Sequence, residues 1–249
     1  MVVVVHGIGG HGGQFDGVAA HLVPRGYDVY APDLPGHGRS PGPRGWIPTW
    51  EAFRGSVAAL LDHIEPAGST SQPPVLVGHS LGGTVAVDLA LHEPARVRGV
   101  ILSNPATGAE GVAPWRLLVA RSLSGLWPRF ALETGIPMDA LSRDPQALAR
   151  LAADPLRHGR CTARLGTEFL TAAERIRRQA GQLTTPLLVL QSSADTITPP
   201  EAARSFFQAV GATDKIWRFY PESYHELFDD LDREQVLADI VAWLEAHGG

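Results

Sequence analysis

Short apolar runs alternate along this chain with longer stretches whose apolar residues recur every three or four positions. That alternation predicts parallel strands joined by helical crossovers. Residues 2–5 are consecutive valines ending at His6-Gly7, as expected of a strand buried on both faces. A helix over 15–22 is stopped by Pro24 and Gly26, and residues 27–31 form the next strand. Trp50, Phe53, Val57, Leu60, Leu61 and Ile64 stand at helical spacing within 49–64, and a polar loop follows over 68–74. Residues 75–77 read as a strand, 80–92 as a helix ended by Pro94, and 97–102 as another strand. Two further strands, 187–190 and 216–220, enclose a helix over 201–210, and a closing helix spans 233–246. The expectation is an α/β fold: a mostly parallel central sheet of about six strands, flanked by helices.

Residues 105–184 break this alternation. They carry no strand pattern and read as short helices inserted between two strands, so the core is assigned to 1–104 and 185–249. Ligands in such sheets bind at the carboxyl ends of the strands, and an insertion at that end predicts a helical lid, or cap. Packing helices with no substrate contact are the plainer alternative. Trp115, Leu118, Leu126, Trp127 and Phe130 are the apolar residues expected to bind substrate there.

Composition narrows the function. At 249 residues, with 44% hydrophobic and 19% charged residues, the chain is globular and long enough for one large domain. A formal net charge of −5 argues against a nucleic-acid partner, which needs a basic face. Eleven of the twenty arginines fall between Arg116 and Arg178, against seven Asp or Glu over 110–180. Solvated helix faces account for this, with transient attraction to a lipid interface as the rival reading. Cys161 is the single cysteine, so neither a disulfide framework nor a cysteine metal site is expected. No apolar run reaches the ~18 residues of a membrane span, and residues 1–5 are too short for a signal-peptide core. A cytoplasmic location is the expectation.

Gly78-His79-Ser80-Leu81-Gly82 is G-x-S-x-G, directly after an apolar strand and directly before a helical pattern. The glycines permit a turn tight enough to leave the serine strained and its hydroxyl exposed, and the following helix start aims N–H groups at a developing oxyanion. A serine hydroxyl needs a base to accept its proton. Of the ten histidines, His225 stands after the last strand and before the closing helix, which makes it the candidate. The acid that orients it should follow a strand between serine and histidine, and Asp195 does so. Asp214 and Asp229 are positional rivals. The chain order Ser80, Asp195, His225 is the one expected when a nucleophile of this kind sits on an α/β sheet. The His6-Gly7-Ile8-Gly9-Gly10 segment follows the first strand, and the backbone amides of Ile8 and Leu81 are assigned to the oxyanion hole. The segment lacks the G-K-[ST] ending of a phosphate loop, so nucleotide binding is not expected. Asp33 through Ser40 is a loop in which His37 and Arg39 brace the site. No metal and no cofactor are expected, since the histidines lack ligand spacing.

Together these residues resemble the α/β-hydrolase superfamily, and within it the monoacylglycerol lipase and lysophospholipase-like branch. The closer likeness lies in His6-Gly7, Asp33 through Ser40, Gly78 through Gly83, Asp195, Asp214-Lys215 and Tyr224-His225-Glu226. Leu141-Ser142-Arg143-Asp144-Pro145 and Asp154-Pro155-Leu156 carry it into the lid. The resemblance implies hydrolysis of long-chain monoacylglycerols or similar single-chain esters beneath an apolar lid. A short-chain or aromatic carboxylesterase, and a slow-turnover ligand sensor on the same fold, are the alternatives. The family usually places two strands ahead of the His-Gly segment, whereas here His6 is almost the first residue. With that sheet, strand 27–31 becomes an open edge, an association hazard. The expectation is residues ahead of Met1 or a compensating homodimer contact.

Overall fold

The computed structural model describes residues 1–64, 72–108 and 114–247, with the side chains of 114–119 outside that description. The predicted loop over 68–74 lies partly outside it as well. Six strands form one parallel sheet: β1 (Val2–Val5), β2 (Val29–Tyr30), β3 (Val75–His79), β4 (Gly99–Ser103), β7 (Leu187–Ser192) and β8 (Lys215–Tyr220). Their spatial order is β2-β1-β3-β4-β7-β8. The order reverses direction after β2, so the sheet is wound both ways from β1, and the strand ends on either side of that point open toward a common crevice.

The period of two along each strand assigns its side chains to two separate cores. Val3, Val5, Leu76, Val100, Leu102, Leu187 and Val189 face α2 (Glu51–Ile64), α3 (Leu81–His92) and α6 (Ala163–Arg178). Val2, Val4, Val75, Val77, Ile101, Leu188 and Leu190 face α1 (Asp16–Leu22) and α8 (Arg233–Ala246). Strands β1, β3, β4 and β7 are buried throughout, which is why they read as continuous apolar runs rather than alternating ones. The remaining core helix is α7 (Pro200–Ala209), which contributes Phe206. Predicted and observed bounds of these elements differ by a few residues at most.

The segment between β4 and β7 contains α4 (Pro114–Leu126), α5 (Pro145–Ala153) and α6. It also contains two strands that the sequence reading missed, β5 (Ala131–Glu133) and β6 (Arg160–Thr162), paired antiparallel as Ala131↔Thr162, Leu132↔Cys161 and Glu133↔Arg160. At three residues each they are too short to show an alternating pattern, and their partners are remote in sequence. Asp144 caps α5 by accepting from Gln146 N at 2.9 Å, and Thr162 caps α6 by accepting from Leu165 N at 3.2 Å. The insert is fastened to the core by Asp88, a fully buried carboxylate on α3. It accepts from Arg175 of α6 at 2.8 Å, from Arg54 of α2 at 3.0 Å and from Trp50 Nε1 at 3.2 Å.

Candidate active site

Ser80 stands between the end of β3 and the start of α3, with φ 52° and ψ −122°. A non-glycine residue holds such a backbone only where its surroundings over-determine it. Here α3 begins so close to β1 that a Cβ on Gly82 would overlap the carbonyl oxygens of Val5 and His6. Ser80 N donates to Ser103 O at 3.0 Å, and Ser80 O accepts from Gly83 N at 2.9 Å and Ala106 N at 3.0 Å, so the turn is fixed on both sides. Leu81 is the first residue of α3, where an amide has no acceptor within its own helix. Ile8, in the loop after β1, borders the same space as Ser80.

Asp195 lies in the turn after β7 and His225 in the loop after β8, both buried. His225 Nδ1 is 2.8 Å from Asp195 Oδ2. An ionised carboxylate only accepts, so Nδ1 carries the proton and Nε2 is left as the basic nitrogen. The carboxylate accepts further from Ile197 N at 2.8 Å, Thr198 N at 3.0 Å and Thr198 Oγ1 at 2.6 Å. Burial works to raise the Asp195 pKa. The adjoining His225 and the bonds from His225 and Thr198 outweigh it, and the net displacement is downward. The rival acids are engaged elsewhere: Asp214 with His247 at 2.8 Å, Asp229 with Arg150 at 3.2 Å.

A second buried pair adjoins the first. His79 Nδ1 is 3.2 Å from the Ser103 carbonyl and its Nε2 is 3.1 Å from Glu226 Oε2, so both ring nitrogens face acceptors. Burial opposes charge on the imidazole, but Glu226 overrides it and the His79 pKa is raised. Burial likewise opposes the Glu226 carboxylate, yet His79 and Arg157 hold its pKa well below the usual range. Nothing in the sequence pattern paired these residues. His79 merely fills the variable position of the serine motif.

The loop carrying His225 is held from the insert. Glu226 N donates to Leu141 O at 2.8 Å, and Ser142 Oγ donates to Asp229 O at 2.8 Å. Arg143 Nε donates to the fully buried Asp230 at 2.9 Å, and its Nη2 to Asp232 at 2.6 Å. On the other side of the site, His6, His37 and His158 form a contiguous group, with ring centroids 5.2 and 4.8 Å apart. His6 accepts from Leu34 N at 2.9 Å through Nε2, and is thereby held neutral. Arg39 braces its loop through its backbone amide, which donates to Asp33 at 2.7 Å.

Ser80 borders two cavities. One, of about 240 Å³, has a mixed lining in which Gln14, His79, Asp154, Arg157 and Glu226 stand among apolar residues such as Ile136, Met138 and Leu151. The other, of about 200 Å³, is lined mainly by apolar residues, among them Ile8, Leu81, Ile136, Phe169, Leu170 and Ile197. Of the apolar residues assigned to substrate from sequence, Leu126 is 87% and Trp127 61% exposed, and Phe130 leans on Trp127 with centroids 5.1 Å apart. None of these three lines either cavity beside Ser80. Apolar spacing marks a helix face without saying whether it turns toward the site or toward solvent. The side chains of Trp115 and Leu118 lie outside the described residues.

A parallel sheet with a serine on a strained strand-to-helix turn, and an Asp–His pair delivered from later strand ends, defines the α/β-hydrolase fold. Residues 1–232 match the family Hydrolase_4, described as serine aminopeptidase, S33, and the chain belongs to that family. It is similar to a monoacylglycerol lipase of Mycolicibacterium smegmatis, 32% identical over 249 residues, covering 99% of this chain and 88% of that protein. A monoglyceride lipase of Rattus norvegicus is 31% identical over 98% of this chain and 82% of its own length. Among solved structures, a Paleococcus ferrophilus monoacylglycerol lipase superposes with a TM-score of 0.91 at 34% identity, covering 99% of this chain and 94% of that one.

Proposed function

We propose that this chain is a carboxylic ester hydrolase that cleaves monoacylglycerols through an acyl-enzyme on Ser80. The observation that carries the reading is the position of Ser80 where a cavity of mixed polar and apolar lining meets a predominantly apolar one. An ester of a fatty acid with glycerol has the same two-sided character. The apolar cavity takes the acyl chain, and the walls bearing Arg157, Glu226 and Asp154 take the hydroxyls.

In the first step Ser80 Oγ attacks the ester carbonyl carbon and its proton passes to His225 Nε2. The amides of Ile8 and Leu81 hold the oxyanion, and losing one such donor costs about 2.7–4 kcal/mol. As the C–O bond to glycerol breaks, His225 returns the proton to the departing oxygen. Water then attacks the acyl-enzyme with His225 again as base, and the serine oxygen leaves with that proton as the fatty acid is released. Asp195 stabilises the imidazolium and keeps its tautomer without taking the proton.

Residues 105–184 serve as the lid. Their outer surface supports contact with a lipid interface: Leu126, Trp127 and Leu132 are exposed together with Arg121 and Arg129. No helix among the described residues is long and apolar enough to cross a membrane, so such contact would be peripheral.

The test is steady-state release of oleate from 1-monooleoylglycerol, with the Ser80→Ala protein as blank. Release over many turnovers, reduced on the order of 10⁶-fold in the blank, is the expected result. Turnover retained in the blank rejects Ser80 as nucleophile. No release by the unaltered chain rejects the substrate.

A further inference from the structure

Asn104, the residue after β4, is fully buried and holds φ 42°, the left-handed backbone that asparagine tolerates better than most residues. Its amide N continues the sheet by donating to Leu190 O at 2.9 Å. The left-handed turn then sends its side chain across the end of β7 rather than along β4. Oδ1 accepts from Ser192 N at 2.8 Å. Nδ2 lies 2.8 Å from His225 O, 2.9 Å from Ser192 Oγ and 3.1 Å from Tyr224 O. Ser192 Oγ donates its own hydrogen bond to Tyr224 O at 2.7 Å, which leaves it free to accept from Asn104. The two amide hydrogens therefore serve the His225 and Ser192 oxygens, with Tyr224 O sharing.

The backbone of the same residue reaches the acid. Thr198 Oγ1 donates to Asp195 Oδ2 at 2.6 Å and shares that one hydrogen, more weakly, with Asn104 O at 3.1 Å. Its neighbours reach the nucleophile, since Ser103 O and Ala106 N bond the backbone of Ser80 on either side. One short run of chain thus touches the supports of the serine, the acid and the base, although these come from three different strand ends.

We propose that Asn104 is the positioning residue that holds His225 and Asp195 in register with each other and with Ser80. The proposal rests on the assignment of those three residues above. Asparagine suits the task because it alone combines a short reach, two donors, one acceptor and tolerance of positive φ. Aspartate has the shape but would set a carboxylate against the carbonyl oxygens of His225 and Tyr224. Glycine keeps the backbone and removes every side-chain bond.

The experiment compares the full-length chain with Asn104→Gly and Asn104→Asp. It measures the rate at which a fluorophosphonate ester labels Ser80, kcat and KM for p-nitrophenyl butyrate, and thermal unfolding. In folded Asn104→Gly protein the labelling rate and kcat are expected to fall together, by about 100-fold, as when reacting groups are displaced by about an ångström. KM should change little, because neither cavity loses a wall, and Asn104→Asp should fall at least as far. Labelling and kcat within threefold of the unaltered chain in both folded variants would overturn the proposal. So would a loss that tracks the unfolded fraction, or failure of both variants to fold, since either makes Asn104 a purely structural residue. If the unaltered chain is not labelled at all, the Ser80 assignment beneath the proposal falls instead. The labelling reagent carries no glycerol, so the outcome does not depend on the natural substrate.

Discussion

The His79 ring stands 4.8 Å from the His225 ring while its Nε2 lies 3.1 Å from Glu226, so a buried ion pair flanks the base. Pair members of this kind are costly to separate, because the survivor is left charged and desolvated. Glu226→Gln is expected to lower unfolding stability by about 3 kcal/mol near pH 5.5. The signs of the two shifts define the window. The raised His79 pKa contributes stability fully present below its ordinary value of 6.5, and lost as pH rises through the folded value. The lowered Glu226 pKa contributes stability present above 4.5 and lost as pH falls through its folded value. Urea unfolding at pH 5.5 and pH 9 should therefore show a larger gap between variant and parent at the lower pH; an equal gap would contradict the pairing.

The group His6, His37 and His158 acts with the opposite sign. Burial, the largest cause in each, lowers the pKa of His6 to about 4 and that of His37 to about 3, and lowers that of His158 as well. Stability linked to these groups is complete above pH 6.5 and is lost as pH falls toward their folded values. As pH falls from 6.5 to 5, His6 and His37 should each cost up to about 1.4 kcal/mol per pH unit. Urea unfolding of the parent should steepen in that interval, and His37→Leu should flatten it. A parent stability that is level from pH 7.5 to 5 would refute the linkage.

Gly9 has φ 71°, and a Cβ there would overlap the His158 carbonyl, whose residue donates its amide to Gly9 O at 3.0 Å. Both backbone strain and the clash are expected from Gly9→Ala, with a stability loss of about 3 kcal/mol. Because Ile8 adjoins it, kcat should fall more than unfolding alone explains. Thermal unfolding followed by assay of the folded fraction separates the two effects.

Ile197 lines the apolar cavity beside Ser80. Ile197→Trp should fill part of that space and lower kcat/KM for long acyl chains by about tenfold or more, leaving butyrate nearly unaffected. A series of p-nitrophenyl esters from C4 to C18 would show it. Equal losses across the series would place the acyl chain elsewhere.

The contact of Asp195 with His225 was readable from chain order, because each residue follows a strand of the sheet and the ends of the neighbouring parallel strands β7 and β8 lie side by side. The six-stranded sheet was readable for the same reason: β1, β3, β4 and β7 are buried on both faces and carry continuous apolar runs. The insert was far less legible. Its strands are three residues long, and the exposure of Leu126 and Trp127 depends on how the end of α4 and the turn after it face, which periodicity leaves open. Asn104 could not be singled out, since its partners arrive only when the ends of β4 and β7 are set side by side. His79 and Glu226 each sat next to a residue chosen for chemistry, but no spacing rule joins them.

Arg143 belongs to the insert, yet the carboxylates it grips, Asp230 and Asp232, belong to the loop that delivers His225. The insert is consequently not an accessory that can be trimmed or exchanged while the core keeps working. A chimera built by grafting another enzyme's cap between β4 and β7 would leave Asp230 buried without its cation and the base loosely tethered. In this chain Arg143 and the loop it closes on can be changed only together.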